Sequence, residues 1–185
     1  MPLGAAVVSC ENMSDQGKLS AYEDLVQLWA PTLDLVSPAD LGRFHERHVA
    51  DSLRVLGLVE TAPEGPCVDV GSGAGLPGIP LAITSKRHWR LLEPRGRRAG
   101  FLEEVVRELD LDCEVLRMTA QEAALDPGLR HAVATARALA APSAAFELVL
   151  PLVAPGGTAV VFHGPSAALP SEAEAWSDGI ATITN

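Results

Sequence analysis

The residues best placed to do chemistry form one run, Asp69-Val70-Gly71-Ser72-Gly73-Ala74-Gly75-Leu76-Pro77-Gly78. Glycines at this density let a chain turn sharply from strand to helix and let a ligand approach the main chain closely. Gly73, Gly75 and Gly78 satisfy the spacing G-x-G-x-x-G of a dinucleotide site, while no G-x-x-x-x-G-K-[ST] run exists to bind a nucleoside triphosphate. Asp69 places a carboxylate beside the loop, where a cationic ligand would be held. Glu93, 22 residues beyond Gly71, stands where an acidic residue takes ribose hydroxyls. A nicotinamide dinucleotide and S-adenosylmethionine both carry a ribose, so Glu93 alone does not separate them. Pro155-Gly156-Gly157 reads as a turn before a buried strand.

These residues need a scaffold, and the hydrophobic periods supply one. Cys67-Val68-Asp69-Val70 is a short buried strand entering the loop. Further strands are expected over 88–93, 113–117, 131–135 and 158–162, with helices over 78–83 and 97–109 between them. In the second helix Phe101, Leu102, Val105, Val106 and Leu109 share a face. Strands alternating with helices imply a doubly wound, mostly parallel α/β sheet with right-handed crossovers. Ahead of it lies a helical segment, 19–62. It has an apolar stripe Leu19, Tyr22, Val26, Trp29 and a second helix opened by Ser37 as N-cap and Pro38 at its first position, running toward Leu58. Residues 1–18 carry no period and are expected to be a loose tail; 19–185 form one domain, with its ligand-binding core at 66–164.

Composition narrows the function classes. The chain has 185 residues, 48% of them hydrophobic and 21% charged, as an ordinary globular domain does. Fourteen Lys and Arg against 24 Asp and Glu give a formal charge of -10. That balance excludes binding nucleic acid through the overall field. Six of the 14 basic residues nevertheless cluster as Lys86, Arg87, Arg90, Arg95, Arg97 and Arg98, the one place in the sequence that would welcome a phosphate backbone. Arg97 and Arg98 also open a helix, a poor position for cations unless an anion is near. Three widely spaced cysteines, Cys10, Cys67 and Cys113, fit a reducing compartment and no metal knuckle. The first 13 residues lack the basic start of a secretory signal, and prolines and glycines cut the apolar window 138–162 into a buried helix, a turn and a strand. A cytoplasmic chain without metal or membrane span is the expectation.

Several motifs in order make the reading specific. RHVADSL (Arg47 to Leu53), GSGAGLPGIPLA (Gly71 to Ala82), LLEPRGRRAGFLEEVVREL (Leu91 to Leu109), TARALA (Thr135 to Ala140) and LPLVAPGG (Leu150 to Gly157) resemble the ribosomal RNA small-subunit methyltransferase G family, also called glucose-inhibited division protein B. The resemblance covers about residues 20–164. It implies a class I, Rossmann-like methyltransferase fold and S-adenosylmethionine-dependent methylation of a guanine N7 in 16S rRNA, free or within the small ribosomal subunit; separately from the resemblance, a monomer is the expectation. Carried over residue by residue, Gly71, Ser72, Gly73, Gly75 and Leu76 line the cofactor, Glu93 holds its ribose, Ala120 and Gln121 border its adenine, and Arg137 belongs to its pocket. Arg95, Arg97 and Arg98 are the candidate RNA contacts.

This chain also departs from the family. Thr119-Ala120-Gln121 replaces R-A-E or R-V-E, His163 stands where K-G begins, and no Lys or Arg occurs in the last 48 residues. A shortened C-terminus and an uncovered sheet edge are therefore expected, which keeps a non-catalytic RNA-binding or assembly factor in view. His48, Asp51 and Ser52 share a helical face, which either closes over the cofactor cleft or holds a helix-stabilising His48–Asp51 contact. Guanine N7 carries a lone pair and no proton, so no acid or base is assigned.

Overall fold

A computed structural model describes residues 13–185. Seven strands form one sheet in the order β3-β2-β1-β4-β5-β7-β6. They are β1 (Cys67–Val70), β2 (Trp89–Leu92), β3 (Cys113–Leu116), β4 (His131–Arg137), β5 (Val153–Phe162), β6 (Glu174–Ser177) and β7 (Ile180–Thr184). The first five pair in parallel, and β7 runs antiparallel between β5 and β6. β1 and β4 are buried along almost their whole length, as central parallel strands covered on both faces must be.

Helices α1 (Asp15–Leu33), α5 (Gly78–Ser85) and α6 (Gly96–Glu108) share one apolar cluster, in which Tyr22, Val26, Ile79, Phe101 and Leu102 meet. On the other face Phe146 and Val149 of α8 (Pro142–Val149) pack on Val68, Ala134 and Val161. α1 and α6 cap each other's ends. Lys18 Nζ donates to the Asp110 carbonyl past the end of α6 (3.1 Å), while Arg97 and Arg98 donate to the Thr32 and Asp34 carbonyls at the end of α1 (3.0 and 2.7 Å). Carbonyls left open at a helix C-terminus carry partial negative charge, so these cations sit where they stabilise.

Several expectations need correction. Residues 15–18 are helical, capped by the Ser14 side chain on the Gly17 amide, and the rest of the expected tail, with Cys10, lies outside the described residues but for Met13 and Ser14. The single helix expected from 37 to 58 is broken into α2 (Pro38–Leu41), a π-helical turn (His45–Val49), α3 (Ala50–Leu53) and α4 (Leu56–Thr61). At the π-helical turn Arg137 donates to the carbonyls of Arg47 and His48, a tertiary contact that no local helical period reports.

Pro155-Gly156-Gly157 is no free turn. It lies inside β5 at a register shift against β4, and the amide of Gly156 and carbonyl of Gly157 pair with Asn185. The sheet edge is not uncovered either, since β7 pairs with β5 from Thr158 to Phe162 and β6 lies beyond it. That hairpin is an addition to the expected elements, although alternation about Asp178-Gly179 marks it. So is α7 (Ala120–Ala124), whose start is a capping box: Thr119 accepts from the Glu122 amide and Glu122 accepts from the Thr119 amide.

Candidate cofactor and substrate site

The glycine loop leaves β1 at the carboxyl edge of the sheet, where doubly wound folds bind their ligands. The end of β2 takes its first two amides, since Gly71 and Ser72 both donate to the Leu92 carbonyl (2.9 and 3.0 Å). Gly73 and Gly75 have φ of +57° and +97°. A Cβ on Gly75 would lie 2.5 Å from Ile79 Cγ1 and 3.2 Å from Leu102 Cδ2, so that glycine is required by core packing. A Cβ on Gly73 would meet nothing nearer than 3.8 Å. Gly73 therefore turns toward open space and Gly75 toward the protein.

Two acidic residues brace this loop. Glu93 is 4% exposed, and its carboxylate accepts from the amides of Gly73 (3.0 Å) and Arg95 (2.9 Å). Asp69 does not face a ligand, contrary to expectation. It is fully buried beneath the loop and accepts from the Gly78 amide (3.2 Å) and the Thr135 hydroxyl (2.8 Å). Burial pushes its pKa up to about 6, with the Thr135 and Ser72 hydrogen bonds opposing. From above, the Tyr22 hydroxyl on α1 donates to the Ala74 carbonyl (2.8 Å). Helical spacing placed Tyr22 in the core, but no local signal says that its hydroxyl reaches a loop 52 residues away.

Above the loop lies a cavity of about 290 Å³ lined by Gly71, Ser72, Gly73, Leu76, His48 and Arg137, with Asp40 and Arg98 beside them. A second, about 840 Å³, opens between the start of α8, the end of β5 and the β6–β7 turn, and includes Phe162, His163 and Asp178. The two share Arg137 and Ala138. Arg137 forms the wall between them. Its guanidinium donates to the carbonyls of Arg47 (3.1 Å) and His48 (3.3 Å) and to His48 Nδ1 (2.9 Å), and lies 5.9 Å from the Phe162 ring centre. Burial lowers the pKa of Arg137, and Asp51, 3.4 Å away, opposes that shift.

Of the residues singled out in the sequence, Gly71, Ser72, Gly73, Leu76 and Arg137 therefore meet at one cavity, and Glu93 touches it through Gly73. Gly75 supports the loop from the core. Ala120 and Gln121 begin α7 beyond β3 and line neither cavity. Thr119, one of the departures from the family pattern, has its own local use as the α7 cap. His48 and Asp51 do not pair: His48 faces the small cavity with Arg137, and Asp51 binds Arg54 (2.9 Å). Ser52 is buried and donates back to the His48 carbonyl (2.6 Å).

Of the RNA candidates, Arg97 and Arg98 are tied to α1, and Arg98 also lines the small cavity. Arg95 remains exposed at the rim. Among the described residues there is no cluster able to hold a metal ion and no helix long and apolar enough to cross a membrane. Burial holds the thiols of Cys67 and Cys113 up to about 11 and about 12, so neither is a nucleophile at neutral pH.

The profile of the GidB family, described as rRNA small subunit methyltransferase G, matches residues 15–177. The chain belongs to the rRNA small subunit methyltransferase G family. The ribosomal RNA small subunit methyltransferase G of Granulibacter bethesdensis is 38% identical over 150 residues, covering 81% of this chain and 68% of that protein. Its namesake from Acidiphilium cryptum is 38% identical over 165 residues, covering 85% and 73%. Among solved structures, a variant of MtNAS in complex with S-adenosylmethionine superposes with a TM-score of 0.61 at 14% identity, over 91% of this chain and 74% of that one. That likeness bears on the fold alone, and the rRNA small subunit methyltransferase G match takes in the small cavity and all of the larger one's lining but Asp178 and Gly179.

Proposed function

We propose that the chain is an S-adenosylmethionine-dependent methyltransferase that modifies guanine N7 in 16S rRNA. The observation that carries the reading is the pair of cavities meeting at Arg137, one over the glycine loop and one open to solvent, in a chain of this family. The small cavity fits the cofactor chemically. Gly73 offers an open backbone approach, Glu93 a carboxylate for ribose hydroxyls, and Arg98 a cation. Gly71, Ser72, Gly73, Leu76, Glu93 and Arg137 are the residues that would hold the cofactor there, with Gly75 behind them, while Ala120 and Gln121, which line neither cavity, fall outside that set. When bound, the cofactor supplies an electrophilic methyl group.

The protein's remaining task is placement. Phe162 and the alanines of the larger cavity offer an apolar wall for a base, and Arg137 fixes the boundary at which acceptor and donor meet. Arg137 stays protonated and moves no proton. Substrate guanine has its own lone pair at N7, so the site needs no base. The proposed partner is 16S rRNA or the assembled small subunit, met at the rim around Arg95. We read the described residues as one domain and the protein as a cytoplasmic monomer.

Neither rival reading keeps its support. A dinucleotide fold repeats parallel βαβ units in the order 3-2-1-4-5-6, whereas here antiparallel β7 lies between β5 and β6. A non-catalytic factor was suggested by the altered segment Thr119–Gln121 and the short C-terminus; Thr119 is a helix cap, and β7 and β6 cover the sheet edge that a short C-terminus was expected to leave open. The test is a thermal-shift titration with S-adenosylhomocysteine and NADH. Stabilisation by the first alone is expected, and a flat response to millimolar S-adenosylhomocysteine overturns the cofactor assignment.

A further inference from the structure

We infer that Arg54 is a positioning residue for the methyl acceptor: it clamps the β6–β7 turn to α3 and so fixes one wall of the larger cavity. The inference rests on the reading of that cavity as the acceptor's. Arg54 ends α3, ahead of every strand, yet its guanidinium reaches the last turn of the fold. Nη1 donates to Asp51 Oδ1 (2.9 Å), and Nη2 donates to the Ser177 hydroxyl (2.9 Å) and the Asp178 carbonyl (2.5 Å), 123 and 124 residues away. Asp51, Arg54, Asp178 and Gly179 all line the larger cavity. The family match ends at residue 177 and assigns nothing to the turn.

The two sides of this clamp differ in firmness. On the α3 side Ser52 is buried, and Val55 belongs to the apolar cluster of Leu58 and Trp89. Asp51 divides its oxygens between two guanidiniums, with Oδ1 on Arg54 and Oδ2 3.4 Å from Arg137. A run of contacts thus joins Arg137, where the two cavities meet, to the turn. On the other side β6 is an edge strand, and its register against β7 shifts between Ala175 and Ser177. The Gly179 carbonyl ties the turn to the His163 amide (2.7 Å), and Arg54 adds a second tie. Its planar fork holds Asp51 and the turn together in one geometry, which a lysine ammonium on a flexible stem does not.

Folding depends little on this clamp. The Arg54 side chain is 37% exposed, and ion pairs at such sites contribute little to stability. Placement is worth more, since misplacing reacting atoms by about 1 Å costs on the order of a hundredfold in rate. Loosening the turn therefore costs turnover while sparing the cofactor cavity, whose lining includes neither Arg54 nor the turn.

Methyl transfer to small ribosomal subunits by the full chain, with calorimetric binding of S-adenosylhomocysteine, tests this. Arg54→Ala is expected to lower kcat about ten- to a hundredfold. Its S-adenosylhomocysteine affinity should stay within about twofold, and its Tm should fall by no more than about 2–4 °C. Arg54→Lys keeps the charge without the fork and should remain impaired. Ser177 does not line the cavity, so Ser177→Ala acts through the clamp: it should lower kcat in the Arg54 protein and change nothing in Arg54→Ala. An unchanged kcat, an effect confined to the KM for subunits, full activity in Arg54→Lys, or a Ser177→Ala loss that persists in Arg54→Ala overturns the inference and leaves the proposed function standing. Loss of S-adenosylhomocysteine affinity in step with kcat overturns it as well, because that marks general damage. If the unsubstituted chain methylates no guanine, both fall.

Discussion

Replacing Gly73 and Gly75 separately divides the loop into a ligand-facing and a packing half. Gly73 sits at φ +57°, where an L-residue pays about 1–2 kcal/mol, and valine belongs at the upper end because of its branched Cβ. Its Cβ has open space, with the nearest atoms 3.8 and 3.9 Å away, so no packing penalty adds to the strain. Gly73→Val should therefore cost about 2 kcal/mol and lower Tm by roughly 4–8 °C in a chain of this length. The domain stays folded. The ligand response should vanish, because the side chain fills the approach to the backbone. In the unsubstituted protein, S-adenosylhomocysteine at about 100 times its Kd contributes about 2.7 kcal/mol, or roughly 5–11 °C.

Gly75→Ala, a smaller change, should cost more. To the strain at φ +97° it adds a Cβ 2.5 Å from Ile79 and 3.2 Å from Leu102, both buried, for a total of about 3 kcal/mol or more. Urea unfolding at fixed pH supplies both stabilities and differential scanning fluorimetry the ligand shifts. A folded Gly73→Val that keeps its shift, or two variants equally destabilised, would refute this division of the loop.

His131 gives a pH prediction. It is 1% exposed, its Nδ1–H donates to the Leu152 carbonyl and its Nε2 accepts from Arg90, so the folded state holds it neutral with a pKa down to about 4. The unfolded chain takes up the proton near 6.5, so stability is lost as pH falls from 6.5 toward 4, by about 2 kcal/mol between pH 7 and 5. Asp69 acts in the opposite sense: its raised pKa of about 6 makes stability grow as pH falls through 6 toward its unfolded value. The two offset each other in the unsubstituted protein, and urea unfolding of His131→Gln should gain stability on acidification; an unchanged profile would count against a neutral His131. At the rim, Arg97→Ala should cost up to about 1 kcal/mol by uncapping α1. Arg95→Ala should leave stability unchanged while weakening binding to small subunits and reducing its salt dependence by about one charge, measured by filter binding across a KCl series.

The parallel core was legible because its signals are local. β1, the glycine loop and α6 each follow from residues within a dozen positions of one another. What escaped depends on partners far along the chain. The π-helical turn at His45–Val49 meets Arg137, 89 residues from His48, and no helical period can announce that contact. Asp69 looked like a ligand-facing carboxylate because sequence gives its position but not its direction; Thr135 and Gly78 turn it inward. Arg97 and Arg98 looked like an RNA rim because the open carbonyls that balance them belong to α1, some 65 residues earlier. The β6–β7 hairpin was locally visible in Asp178-Gly179 and its flanking alternation.

Methyl transfer itself is the most direct measurement. Small ribosomal subunits from a strain lacking its own family member, incubated with the purified chain and S-adenosylmethionine, are digested and their 16S rRNA nucleosides resolved by mass spectrometry. The account predicts that 7-methylguanosine appears, approaches one per subunit, and is lost with Gly73→Val. A chain that binds S-adenosylhomocysteine yet adds no methyl group to guanine N7 would contradict it.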